Sequence, residues 1–218
     1  MKSTTIIAGL IALSPLTAHS APSFTVGIAS DYVFRGISQT DSNPALQASV
    51  DFESESGWYG GIWGSNVDFN DDANTEIDYY LGYAHEFEHV LLDIGFNYYS
   101  YQGYSSSDDS DYGELLVNAE ISNFSLLFGY TNDYINSDES VSYLSAAYLI
   151  PLANEFSLTL QVGYSRGEEA LGENYVDYSA TVEKSWHGID ASLALHSTDI
   201  DDSDIADTRL VLLLAKTF

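Results

Sequence analysis

Apolar and polar residues alternate with a period of two along most of the chain beyond residue 22. In residues 156–164, one face carries phenylalanine, leucine, valine and tyrosine, and the other carries serine, threonine, glutamine and glycine. Successive side chains of an extended strand point to opposite faces, so this alternation predicts β-strands with one face in an apolar environment. The pattern predicts twelve strands, near residues 23–37, 45–54, 58–69, 76–85, 90–101, 112–121, 124–132, 140–150, 155–165, 175–186, 188–197 and 206–218.

The lengths of the strands and of their connections predict a membrane barrel. Each strand has about the 9–11 residues that a tilted strand needs to cross a bilayer. Tight turns alternate with longer connections, as in bacterial outer-membrane barrels with turns in the periplasm and loops outside. The sequence therefore predicts an all-β protein, a transmembrane antiparallel up-and-down β-barrel of about 12 strands. An even strand count predicts that both termini are periplasmic.

Aromatic residues of the predicted outer face sort to the two ends of the strands. Amphipathic rings prefer the boundary between hydrocarbon and lipid headgroups, so this sorting predicts two girdles. An exported soluble β-sandwich, the alternative, would not need two belts. Segments 58–69 and 140–150 are apolar on both faces, and their orientation stays open. The girdle residues are Phe24, Phe52, Phe124, Phe156, Trp186 and Phe218 at the turn ends, and Tyr32, Tyr98, Tyr130, Tyr164 and Tyr178 at the loop ends.

Residues 1–20 have the features of a cleaved secretory signal peptide. Lys2 precedes an apolar stretch over residues 6–16, and Ala18 and Ser20 supply small residues at a cleavage site. Residues 21–218 then form one outer-membrane barrel domain. No later stretch approaches the ~20 apolar residues of a membrane-spanning helix. The chain has no cysteine, which excludes a disulfide framework and a thiolate metal site.

Two runs of the sequence resemble the TorF-type porin family. They are SDYVFRGISQT at residues 30–40 and GIWGSNV at residues 61–67. The resemblance extends in style over the chain after the signal peptide and implies an outer-membrane barrel of a Gram-negative bacterium. The family brings no established substrate or site. The terminal aromatic Phe218, on an alternating strand, predicts recognition by the outer-membrane assembly machinery, although Lys216 departs from the apolar residue usual two positions earlier.

The acidic composition of the chain predicts a charged barrel interior. The sequence has 33 acidic and 6 basic residues, a net charge of −27, which excludes nucleic-acid binding through phosphate neutralisation. Carboxylates cannot stay charged inside a protein without water or partners, so acids on the inner face predict a wet lumen or shifted pKa values. Arg35 and Arg209 fall on the first and last predicted strands, which become neighbours on closure. The predicted lumen and selectivity residues are Arg35, Asp51, Glu76, Asp78, Asp93, Glu114, Glu120, Asp177, Glu183, Asp190 and Arg209.

These features predict a narrow outer-membrane channel for passive diffusion of small cationic or neutral solutes, without a cofactor or catalytic activity. Carboxylate rings favour cations, and Tyr80 and Tyr99 would narrow a twelve-stranded lumen further. One alternative is a non-conducting structural or adhesive barrel whose acidic loops meet an external partner. A lipid hydrolase is a third, but the alternation places His196 in the lumen rather than on the lipid side.

The acidic loops raise the question of divalent cations. Carboxylate oxygens suit Ca²⁺ or Mg²⁺, but the EF-hand pattern is absent, so the sequence predicts at most weak binding. Such ions could bridge the loops to lipopolysaccharide phosphates in the outer-membrane lipid. The alternative is a solvated outer surface. The two clusters are Asp108, Asp109 and Asp111, and Asp199, Asp201, Asp202 and Asp204.

Overall fold

Twelve long strands form a closed antiparallel barrel in the computed structural model of the protein, which describes residues 21–104 and 110–218. The predicted signal peptide, residues 1–20, lies outside the described residues. A short hairpin, β2–β3, stands apart from the barrel. The strands are β1 Ser23–Ala29, β2 Val33–Phe34, β3 Ile37–Ser38, β4 Ala45–Glu53, β5 Trp58–Asn66, β6 Thr75–Phe87, β7 Val90–Gln102, β8 Tyr112–Ile121, β9 Phe124–Thr131, β10 Val141–Pro151, β11 Ser157–Arg166, β12 Tyr175–Trp186, β13 Ile189–Thr198 and β14 Arg209–Thr217.

Each barrel strand pairs with its neighbours along the chain, and β1 closes the barrel by pairing with β14. At the seam, Thr25 lies opposite Thr217, and the Phe218 amide donates to the Phe24 carbonyl at 2.9 Å. Closure leaves no unpaired strand edge, which a barrel in hydrocarbon requires because no water is there to bond free backbone groups. The predicted twelve-stranded up-and-down architecture is confirmed.

The two ends of the barrel differ. At the end that holds both termini, called the turn end, the connections are tight, such as Ser122–Asn123 and His187–Gly188. At the other end, the loop end, the connections are longer. One loop carries a short helix, α1 Glu168–Leu171, and another carries a 3-10 turn at Tyr134–Asn136. No helix among the described residues is long and apolar enough to cross a membrane.

The outer surface is an apolar band. On β11, Leu160 is 45% exposed, while its neighbour Thr159 is 3% exposed and points inward. The same alternation on the other strands leaves large apolar side chains around the whole barrel, a surface suited to hydrocarbon rather than water. The predicted girdle residues are all exposed on this surface except Tyr32, which is 4% exposed. The placement of Tyr32 in the girdle was wrong.

The strands of segments 58–69 and 140–150 each have one face outward and one face inward. On β5, Ile62 is exposed and Trp63 is buried. On β10, Leu144 is exposed and Tyr143 is buried. Both strands therefore carry an apolar residue on each face because one face meets the lipid side and the other meets a packed interior.

Residues 30–44, called the infold, turn into the mouth of the barrel. β1 ends at Ala29, so the predicted strand over 23–37 was wrong in its last part. The chain reverses at Arg35-Gly36, where φ is 48° and 84°. Positive φ at both central residues is the geometry of a type I′ hairpin turn, and glycine at the second position makes it accessible. A Cβ at Gly36 would also lie 2.5 Å from the Thr198 Cγ2 atom.

The infold is packed between two loops at the loop end. The Ser38 amide donates to the Ile205 carbonyl at 2.8 Å, and the Asp68 amide donates to the Gln39 carbonyl at 2.8 Å. The ring of Tyr32 packs edge-on against Trp63, with centroids 5.2 Å apart. The outer half of the barrel therefore contains a core of its own rather than an open pore.

The assignment of faces makes a prediction for β11. Leu160→Arg puts a charge on the outer face near mid-height, where it loses hydration. We expect the free energy of unfolding to fall by about 2–4 kcal/mol. Denaturant titration in lipid vesicles, followed by tryptophan fluorescence, measures it. Gln161→Arg, one residue on and facing the lumen, is the control and should change little. Equal losses for the two variants would contradict the assigned faces.

Candidate functional site

The predicted lumen carboxylates divide into two sets by depth and burial. Those near the loop end, called the loop half, are 1–2% exposed. Those near the turn end, called the turn half, are half-buried or exposed. The loop half is therefore packed, and the turn half is open to water. The loop half holds Glu76, Asp78, Glu114 and Asp177, and the turn half holds Asp51, Asp93, Glu120, Glu183 and Asp190.

Arg35, at the tip of the infold, forms an ion pair with Glu114 of β8. Its Nη2 atom donates to both carboxylate oxygens, at 2.7 and 2.8 Å, and the two side chains are 8% and 1% exposed. In the barrel order, β8 is five strands from β1, almost on the opposite wall. The prediction that Arg35 lies on the first strand beside Arg209 was wrong, because the hairpin carries it across the lumen.

Aromatic rings enclose the guanidinium of Arg35. Its Cζ atom lies 4.2 Å from the ring centroid of Tyr143 and 4.6 Å from that of Phe34. The Tyr99 hydroxyl donates to Glu114 Oε2 at 3.0 Å and so fixes the carboxylate. A cation over an aromatic face gains further attraction when both are desolvated. We call the wall residues Tyr99, Glu114, Gly129 and Tyr143 the Arg35 pocket.

Gly129 leaves the space in which the ion pair lies. A Cβ at this position would be 2.8 Å from Glu114 Oε1 and 3.0 Å from Arg35 Nη2. Both are closer than a carbon atom approaches without displacing its neighbour, and both groups are held by the pair itself. A larger residue at position 129 would therefore push the guanidinium and the carboxylate out of register.

Arg35 stays charged in this environment. Burial by itself would lower the pKa of the guanidinium, but the adjacent Glu114 carboxylate outweighs it and holds the pKa above its ordinary value. Arg35 is therefore a permanent positive charge inside the loop half.

Arg209 fixes the base of the infold. Its Nη1 atom donates to Asp31 Oδ2 at 2.7 Å and to the Ser42 hydroxyl at 3.0 Å. Asp31 also accepts from the Ser38 and Thr40 hydroxyls, at 2.7 and 2.9 Å. Arg209, the first residue of β14, thus holds the infold near both of its ends. This is consistent with its predicted position near the loop end of the barrel.

Glu76 and Asp78 are buried side by side on β6, each 2% exposed. Glu76 accepts a hydrogen bond from the Tyr101 hydroxyl at 3.3 Å. Neither forms a salt bridge with a basic residue in the described part of the chain. With Asp177, the loop half thus holds more carboxylates than its two arginines can neutralise.

The turn half holds carboxylates with hydroxyl and amide partners. Asp93 accepts from the Tyr59 hydroxyl at 2.7 Å, and Glu120 accepts from the Asn118 amide at 3.1 Å. The Tyr80 hydroxyl donates to Asp51. These neutral partners orient the carboxylates without removing their charge.

No lysine or arginine of the described residues enters the lumen of the turn half. Arg166 is exposed at the loop end of β11. Lys184 lies over the ring of Phe156 at 4.7 Å, and Lys216 over that of Phe218 at 4.9 Å, both on the outer surface. Among the described residues, the charged side chains that face the lumen of the turn half are therefore all carboxylates.

The predicted divalent sites find no geometric counterpart in residues 21–104 and 110–218. No three acidic or histidine side chains there converge on a point that could hold a metal ion. Asp199 uses a carboxylate oxygen to accept from the Val176 amide at 2.6 Å. Asp108 and Asp109 lie outside the described residues, and weak divalent binding at both acidic loops stays a prediction.

Residues 13–218 match the model of a family described as "Bacterial protein of unknown function (Gcw_chp)". The chain belongs to this family. No curated protein matches it in sequence. The resemblance to the TorF-type porin family stays a prediction.

Solved porin structures share the fold of this Gcw_chp protein. The KdgM porin in complex with disordered oligogalacturonate is similar with a TM-score of 0.57 and 10% identity, over 90% of this chain and 98% of that chain. The NanC porin is similar with a TM-score of 0.58 and 9% identity, over 91% and 99% of the two chains. At this identity the likeness shows the fold alone, a closed antiparallel β-barrel.

Sequence reasoning missed the pocket around Arg35. Tyr143 lies in a segment whose orientation the pattern leaves open, and Gly129 interrupts an otherwise ordinary strand. The signal that could have revealed the infold is Arg35-Gly36, because a glycine between two alternating runs is typical of a hairpin turn.

The buried pair makes a prediction for Glu114→Gln. Removing one partner of a buried ion pair costs about 3–5 kcal/mol, but here the tip of the infold can withdraw and hydrate Arg35. We therefore expect local opening of the tip, seen as faster hydrogen exchange at the Phe34 and Ile37 amides of the β2–β3 hairpin, with the barrel strands unchanged. Glu120→Gln, on the same strand and without an arginine partner, is the control. Unchanged exchange in Glu114→Gln would contradict the role of the pair.

Proposed function

We propose that the protein is an outer-membrane channel for passive diffusion of small solutes, with a preference for cations. The observation that carries the proposal is the charge of the lumen. Nine predicted lumen carboxylates and Asp31 of the infold face two arginines, and the arginines are already paired with Glu114 and Asp31. Rings of carboxylates attract cations and repel anions. The porin fold supports a transport role over other roles of a barrel.

The infold is the barrier in this channel. Its buried residues occupy the loop half, so the arrangement described above is a closed state. Passage requires the infold to move out of the mouth, while the half-buried carboxylates of the turn half provide a hydrated, acidic vestibule below it. Selectivity would then arise mainly in the turn half, where no arginine or lysine of the described residues offsets the acids.

The orientation in the membrane follows from the two kinds of connection. We propose that the tight turns and both termini are periplasmic and that the longer acidic loops face outward toward lipopolysaccharide. Phe218 is 70% exposed beside Phe24 and would be accessible to the assembly machinery. In this proposal the protein is not an enzyme and uses no cofactor.

A non-conducting structural or adhesive barrel is the second candidate. It is favoured by the packing of the infold, in which Tyr32 and Trp63 form a buried contact and Thr40 is fully buried. If the infold never leaves, the acidic loops remain as the functional surface. Conductance separates the two candidates.

Planar-bilayer conductance under a salt gradient tests the proposal. We expect rare or small openings for the wild-type protein, and frequent openings with a cation-selective reversal potential when residues 31–40 are replaced by a glycine-serine linker of equal length. A folded barrel that conducts in neither form would contradict the channel and favour the structural role. Anion selectivity would contradict the acidic lumen as the filter.

Charge removal in the turn half tests the location of the filter. Asp93→Asn, Glu120→Gln and Glu183→Gln, combined in the linker variant, should move the reversal potential toward zero because they remove three lumen charges. The control removes three exposed loop charges, Asp201, Asp202 and Asp204, by substitution with asparagine. Equal effects of the two triple variants would contradict a filter in the turn half.

A further inference from the structure

We infer that the Arg35 pocket is a binding site for solutes that carry a guanidinium group, and that Arg35 occupies it as a tethered competitor. This inference rests on the proposed channel function and names the class of solute that would release the infold. The guanidinium of Arg35 shows which chemistry the pocket accepts.

The pocket belongs to the barrel wall rather than to the infold. Glu114 lies on β8, Gly129 on β9 and Tyr143 on β10, three adjacent strands of the barrel. Tyr99, on β7, holds the carboxylate from the other side. Phe34 is the one ring contact that the infold itself supplies. The carboxylate, the open space at Gly129 and the face of Tyr143 therefore remain when the infold withdraws.

The geometry suits a flat cation with several donors. A guanidinium can donate to both oxygens of a carboxylate while its face rests on an aromatic ring. In the pocket, one nitrogen reaches both Glu114 oxygens and the group lies over Tyr143 at 4.2 Å. A Cβ atom at position 129 would lie 3.0 Å from this nitrogen. The backbone of β9 therefore approaches the guanidinium closely, and glycine leaves room for it.

The tip of the infold meets the barrel wall at this pocket, where Phe34 also packs edge-on against Tyr99, with ring centroids 6.0 Å apart. Between Val33 and Ile37, the side-chain hydrogen bonds of the described residues to the barrel wall are those of Arg35 to Glu114. The other attachments lie nearer the base, at Asp31 with Arg209 and at Ser38 with Ile205. Releasing Arg35 therefore frees the tip while the base stays anchored.

Competition follows from the charge of the loop half. If Arg35 left without replacement, Glu114 would be a buried carboxylate without its ion-pair partner, in the same half of the lumen as the buried acids Asp177, Glu76 and Asp78. A guanidinium solute that takes its place removes that cost, so solute binding and withdrawal of the infold favour each other. The tethered group also lowers the apparent affinity of the wild-type protein, because the pocket is free only a fraction of the time.

Chemical rescue of Arg35→Ala tests the inference. The full-length barrel, purified from membranes into detergent, is titrated with methylguanidinium chloride, with methylurea as the neutral analogue of the same shape and NaCl as the ionic-strength control. Binding is measured by isothermal titration calorimetry and by the midpoint of heat unfolding on gels. We expect saturable binding to Arg35→Ala at least tenfold tighter than to the wild type, and none of methylurea.

Glu114→Gln in the Arg35→Ala background is the decisive control. We expect it to abolish methylguanidinium binding, whereas Asp202→Asn, an exposed loop charge, should leave it unchanged in the same background. No saturable binding to Arg35→Ala, or equal binding with and without Glu114, would overturn the inference. If Arg35→Ala does not fold alone, refolding yield becomes the readout. A yield restored by methylguanidinium but not by methylurea supports the site, and a yield restored by neither overturns it.

The bilayer experiment separates this inference from the proposed function. Methylguanidinium should increase the open probability of the wild-type channel and leave the linker variant unaffected. A linker variant that conducts while Arg35→Ala binds no methylguanidinium would overturn the pocket alone. Binding without conductance in any variant would contradict the channel while leaving the guanidinium site in place.

Discussion

The ion pair between Arg35 and Glu114 is the interaction on which the interior of this barrel depends. It joins the tip of the infold to the far wall, at a depth where both side chains are almost fully buried. A buried guanidinium and a buried carboxylate are each costly alone, so the two groups hold each other in place. With the pair formed, the loop half packs as a core around Tyr32, Trp63 and Tyr143. Without it, the same wall holds buried carboxylates that no arginine compensates.

This constraint gives the barrel two unlike halves. At the loop end, hydrophobic packing and ion pairs around the infold exclude water. At the turn end, Asp93 and Glu120 are half-buried beside neutral hydrogen-bond partners, and Glu183 is half-buried as well, so these carboxylates can keep their hydration. The lumen is therefore packed at one end and lined by half-buried carboxylates at the other. The barrel wall, which is continuous and hydrogen-bonded throughout, needs no change for the mouth to open.

The Arg35 pocket links closure of the lumen by the infold to binding of a guanidinium group. The wall of the lumen already binds a guanidinium, and the chain itself supplies it through a hairpin of only two central residues. A segment held at its tip by an ion pair and at its base by Arg209 can give up the tip contact without detaching. Binding of a solute to the Arg35 pocket and withdrawal of the infold tip are then thermodynamically coupled.

The sequence by itself determined the barrel, because apolar and polar residues alternate with the period of a β-strand. Shifting a strand by one residue relative to its neighbour would turn its polar face toward the lipid. It placed Leu160 outside and Glu114 inside without knowledge of any contact. It failed at Tyr32 and Arg35, because the alternation continues through the infold and a local pattern cannot distinguish a longer strand from a hairpin that turns inward. It also left Trp63 and Tyr143 open, since lipid and a packed interior both favour apolar residues. Only the tertiary structure decided which acid meets which arginine, because that pairing joins residues 79 positions apart through a fold that crosses the lumen.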